Sequence, residues 1–222
     1  MTTLHGFGSY TLKDFQAIFD LSTADLNKKI LVYGAGASPW MPATASWTWV
    51  DPFYQRSAAK MKQQIDAKYQ TLQHAFQTHP AEYSWSYFKS ADAALAAFKN
   101  QTTQFLTQFK QHPDQYLPYA LPKLPFLDRS FDLILSLDAF FIPHRDLPAC
   151  LDSLSEFKRI AHEIRIFPLL DKTHPLFPAL GQLILNLQQH GFGIEIKHSP
   201  FTLRLPADAL LKIWSQTCPV QI

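Results

Sequence analysis

The chain has 222 residues, 47% of them apolar, with 20 Lys and Arg against 18 Asp and Glu for a formal net charge of +2. That length suits one domain with a sizeable core, so 1–222 is expected to fold as a single unit. Bases and acids are mixed along the chain, which excludes the clustered basic surface of a nucleic-acid binder.

In chain order, Leu12, Phe15, Ile18, Phe19 and Leu21 fall at helical spacing, and Ser22-Thr23 marks a turn after them. "KILVY" is a compact apolar run ending at Gly34, as expected of a strand buried on both faces. "SWTWV" predicts a second strand, ended by Pro52. From 57 to 112 the chain reads as two helices, each closing on His-Pro, with Ser90 and Asp92 as a cap and the aromatic "YSWSYF" between them. "QYLPYA" and "SFDLILSL" predict the next strands, followed by a helix over 147–160 and the strand "HEIRIFPLL". "PLFPALGQLILNLQQHGFG" predicts an amphipathic helix stopped by Gly191 and Gly193, with "IEIKHSP" and "ALLKIW" as closing strands. This alternation predicts an α/β, Rossmann-like domain of three layers, with a mostly parallel sheet and helices on both faces. The segment 57–112 would be a helical insertion, or cap, after the second strand.

Cys150 and Cys218 lie far apart without CxxC spacing, and read as thiols in a reducing compartment. "MTTLHGFGSYTLKDF" lacks the basic start and apolar centre of a signal peptide, and no apolar run approaches the roughly 20 residues of a membrane span. A cytoplasmic protein with no membrane partner is therefore expected.

Ligands of doubly wound sheets bind outside the carboxyl ends of the strands. Three features converge there: Gly34-Ala35-Gly36, Asp51 at the end of the second strand, and the turn "ALPKLPF". Missing side chains let backbone approach a ligand, and a carboxylate can accept from both hydroxyls of a ribose. Each also has a plainer reading: GxG as a tight turn, and Asp-Pro as a turn of its own. The loop lacks the third glycine and long helix of a pyrophosphate site, and no GK[ST] is present. A nucleoside without phosphate fits better.

The pieces "ILVYGAGAS", "VDPFY", "YALPKLPFLDRSFDLILSL" and "HEIRIFPLLD" resemble the landmarks of class I S-adenosylmethionine-dependent methyltransferases, and more narrowly a bacterial branch of them, over about residues 10 to 215. The resemblance implies a seven-stranded methyltransferase fold and S-adenosyl-L-methionine as cofactor. It places Gly34, Ala35 and Gly36 beneath the methionine part, Asp51 on the ribose, and Pro52 and Phe53 near the adenine. Ala120 and Leu121 would edge the adenine, with Leu137 and Asp138 bordering the cofactor and the substrate opening. The chain departs from the pattern at Val32, where an acid is common, at Ser38, where a third glycine is common, and at Tyr119.

Methyl transfer needs in-line placement, and a base only where the acceptor is a hydroxyl or ammonium group. The weak candidates for that base are Asp138, His144 and Asp171, each equally readable as a cap or a solvated loop residue. His5, His162, His174 and His198 have no metal-ligand spacing, so no metal is expected. The leading expectation is a methyltransferase acting on a small-molecule acceptor. The alternatives are a non-catalytic cofactor-binding or assembly protein on the same fold and, more weakly, a nicotinamide-dependent oxidoreductase. The segment 57–112 leaves a homodimer surface open.

Overall fold

The computed structural model describes residues 7–39, 46–137, 140, 146–169, 179–204 and 209–215. Helix α1 (Leu12–Phe19) starts where the Thr11 hydroxyl accepts from the Asp14 amide and the Asp14 carboxylate accepts from Thr11, a reciprocal cap. Strands β1 (Ile30–Tyr33) and β2 (Trp47–Val50) follow as expected from their apolar runs. Helices α2 (Ala58–Thr78) and α3 (Ala91–Gln111) begin at Ser57 and Ser90, whose hydroxyls accept from Lys60 and Ala93. The two-residue β3 (Tyr116–Leu117) precedes β4 (Phe131–Leu137), α4 (Leu147–Ile160) and β5 (Ala161–Phe167). The described part of the next helix is α5 (Leu180–Gln189), before β6 (Phe192–His198) and β7 (Ala209–Ser215).

These form one seven-stranded sheet in the order β3-β2-β1-β4-β5-β7-β6. The strands from β3 to β5 pair in parallel, whereas β7 is antiparallel to both β5 and β6. The expected mostly parallel sheet is thus corrected to a mixed one. The physical reason is that β6 and β7 are joined by ten residues, fewer than the dozen or more a parallel crossover takes, so the chain returns as a reversed strand.

Helices cover both faces. On one, α1, α2 and α3 bury Phe15, Met61, Phe98 and Phe105 against Val32, Trp49 and Leu135. On the other, α4 and α5 bury Leu154, Phe157 and Leu183 against Leu31, Ile134 and Ile166. Each such side chain contributes about 1.5–3 kcal/mol by leaving water. The segment 57–112 is therefore a structural layer of the domain, pinned by "YSWSYF": Tyr83 and Trp85 meet Phe76, and Tyr87 meets Phe201. Gly191 ends α5 with φ +75, as expected of a stop signal. Gly193 does not end the helix, because it lies inside β6. A Cβ there would stand 2.3 Å from the Trp214 ring, so close ring-on-backbone packing accounts for it.

Candidate functional site

The strand register brings the carboxyl ends of β1, β2, β3 and β4 to one edge. Tyr33 pairs with Val50 and Ser136, and Val50 pairs with Leu117. Gly34, Asp51, Pro118 and Leu137 therefore emerge at one level, one residue beyond these pairs. The order of strands reverses between β1 and β4, which is where a doubly wound sheet opens its ligand crevice.

Gly34 and Gly36 have φ of 77 and 58, a left-handed backbone that side chains rarely adopt, which explains both glycines. The loop spends its amides internally. Gly34 N–H donates to the Val50 carbonyl at 2.9 Å, Gly36 N–H to Asp51 Oδ2 at 2.8 Å, and Ala37 N–H to the Gly8 carbonyl at 2.9 Å. Those three donors are thereby committed to protein acceptors.

Ser38 is fully buried. Its hydroxyl donates to the Ala35 carbonyl at 2.6 Å and accepts from the Tyr10 amide at 2.9 Å, while Ser9 donates to the Ala37 carbonyl. The serine in the third-glycine position is thus a tie between the loop and the segment before α1. Val32 is buried in the aromatic core between sheet and helices, where an unpaired acid would be costly.

Asp51 is 9% exposed, and its carboxylate bridges the site. Oδ2 accepts from Gly36 and Oδ1 from the Phe53 amide at 2.7 Å, capping the short turn Pro52–Gln55. Burial raises the carboxyl above its ordinary pKa; the two amides and the charge of Arg56 oppose that shift without cancelling it. Each oxygen retains a second lone pair. Beside it, burial also raises the Tyr54 phenol, whose oxygen finds no partner among the described residues.

The remaining positions divide. Pro52 is half-buried at the edge, but Phe53 turns into the core against Phe105, its ring 6.1 Å away. Ala35 and Leu137 are fully buried, Ala120 is exposed and Leu121 half-buried. Leu121 N–H donates to the Tyr33 hydroxyl at 3.1 Å, tying this wall to the end of β1. Asp138, His144 and Asp171, with His5 and His174, lie outside the described residues.

A device not expected from the sequence holds the "LPKLPFLDRS" loop. Glu156 Oε1 on α4 accepts from the Leu124 amide at 2.8 Å. Arg159 donates to the carbonyls of Leu124 and Phe126 and pairs with Glu156 and Asp128 at 2.7 Å each. The available signal was a Glu and an Arg spaced i, i+3 on α4, which alone names no target. No group of His, Cys, Asp and Glu among the described residues could hold a metal, and none of the described helices is long and apolar enough to cross a membrane.

No protein-family model matches the chain, and no curated protein matches it either. Among solved structures, a putative RNA methyltransferase from Pyrococcus horikoshii overlays with a TM-score of 0.37 and 11% identity, covering 86% of this chain and 75% of that one. An overlay that loose carries no activity across.

Proposed function

We propose that the chain is an S-adenosyl-L-methionine-dependent methyltransferase acting on a small-molecule acceptor. The observation that carries this reading is Asp51, a buried carboxylate at the carboxyl edge of the sheet whose donors among the described residues are two amides. Its remaining lone pairs suit the adjacent hydroxyls of a ribose, and the committed loop amides favour a ligand without phosphate. The residues present fit the cofactor in this respect: Gly34, Ala35 and Gly36 would run beneath its methionine part. Asp51 would hold the ribose, and Pro52, Ala120 and Leu121 would border the adenine, with Leu137 and Asp138 toward the acceptor. Phe53 would act from behind, by fixing the Asp51 turn.

The bound cofactor would supply an already activated methyl group. What the protein adds is position, which contributes on the order of 7–11 kcal/mol in well-oriented intramolecular reactions. For an acceptor hydroxyl or ammonium, Asp138, directly after β4, is the first candidate to take the proton, ahead of His144 and Asp171. The near-neutral charge and absence of a basic run favour a small acceptor over a nucleic acid.

A non-catalytic cofactor-binding role is the second reading, favoured by one observation: both Asp51 oxygens already face protein amides. Incubation with methyl-labelled S-adenosylmethionine and a small-molecule extract separates the two. The enzymatic reading expects label in a low-mass product, lost in Asp51→Ala; cofactor binding without any transfer would leave only the second.

A further inference from the structure

At the opposite edge of the sheet, where β4 and β5 begin, a cavity of about 240 Å³ opens between the end of α4 and the hairpin β6–β7. It lies about 20 Å from the glycine loop by the rise along β5. Its floor is apolar, formed by Ile164, Phe192 and Ile213, and its polar groups include Arg129, Lys158 and His162. No Asp or Glu lines it, and none of these three side chains makes an ion pair among the described residues.

Arg129 and His162 are exposed at the rim and Lys158 is half-buried, in a setting unlike that of the buried cations Arg165 and Lys212. Arg165 takes Asp25 and Glu163, and Lys212 takes Asp20. Lys158 instead lies 4.4 Å over the Phe192 ring, and burial alone lowers its pKa with no acid to offset it. Arg129 is held at φ 52, a left-handed backbone a non-glycine residue rarely keeps, with its amide donating to the Arg159 carbonyl. Arg159 is in turn fixed by Glu156 and Asp128, so Arg129 is set at the cavity mouth by a rigid clasp.

We propose that this cavity is a binding site for a small anion, a phosphate or carboxylate head on a compact apolar body. The head would be held by Arg129, Lys158 and His162, and the body by Ile164, Phe192 and Ile213. An arginine and a lysine without acids match an oxyanion through charge-assisted hydrogen bonds, and the volume admits about one ring.

Calorimetric titration of the full chain with phenyl phosphate, and with inorganic phosphate for the head alone, tests this. The site expects saturable binding of phenyl phosphate, tighter than that of inorganic phosphate because the ring adds apolar contact. Arg129→Gly, which suits the left-handed backbone, and Lys158→Met, which keeps the stem on Phe192, should each weaken it about tenfold. Asp51→Ala should leave it unchanged, so the result is independent of the cofactor reading. The proposal is overturned by absence of saturable binding, or by wild-type affinity in both variants. It is also overturned if a short single-stranded RNA binds more tightly than phenyl phosphate and depends on the same two residues.

Discussion

Two buried aspartates stand at opposite ends of the sheet. At the amino end, Asp25 takes Lys28 at 2.6 Å and Arg165 at 3.2 Å, with the Ser22 amide and hydroxyl as further donors. Burial would raise its carboxyl, yet the Lys28 and Ser22 hydrogen bonds and the Arg165 charge outweigh it and hold it well below the usual range. At the carboxyl end, Asp51 has two amides and no ion pair among the described residues, and burial wins. The first carboxylate is finished with protein groups; the second keeps acceptor capacity in a site that penalises its charge. Electrostatic completeness marks structure, and its absence marks the place where a ligand has something to supply.

The comparison can be broken from either end. The largest effect is expected for Asp25→Ala, which takes from the buried Arg165 one of its two carboxylate partners, leaving Glu163, and should cost about 3 kcal/mol in urea unfolding. Arg165 also ties α1 to the sheet through the carbonyls of Phe19 and Asp20, so a loss below about 1 kcal/mol would show that those bonds suffice. Next is Ser38→Ala, which removes the buried hydroxyl's bonds to the Tyr10 amide and the Ala35 carbonyl and should cost about 1–3 kcal/mol. Ser38→Gly should lose as much, although it restores the glycine expected at that position.

The smallest effects lie in pH dependence, where the signs oppose. The lowered pKa of Asp25 contributes stability above its ordinary value, and that stability is lost as pH falls toward the folded-state value. The raised pKa of Asp51 means that its ionisation opposes folding as pH rises above the ordinary carboxylate range. Stability profiles should therefore flatten below the ordinary carboxylate range in Asp25→Asn and, with opposite sign, steepen above it in Asp51→Asn. Parallel profiles for the two variants would refute the contrast.

Much of this fold was legible because its signals are local. The helix expected over 147–160 is α4, and β1 and β4 follow from apolar runs bounded by turns. What escaped depends on distant partners. The direction of β7 is not written in "ALLKIW", because the same residues suit a parallel or a reversed neighbour. Gly193 makes sense only beside Trp214, and Ser38 only beside Tyr10, 28 residues earlier. At the candidate site, Gly34, Gly36 and Asp51 were legible from spacing, but the bond joining Gly36 to Asp51 was not. Phe53 read as an adenine contact because sequence cannot tell which way an aromatic turns; its ring faces Phe105.

The central claim is that the Asp51 edge holds S-adenosylmethionine. Calorimetric titration with S-adenosylhomocysteine, free of any turnover, tests it most directly. The account predicts saturable binding with one site per chain, weakened at least tenfold in Asp51→Ala while that variant still unfolds cooperatively. No saturable binding to the wild-type chain, or equal binding by the folded variant, would contradict it.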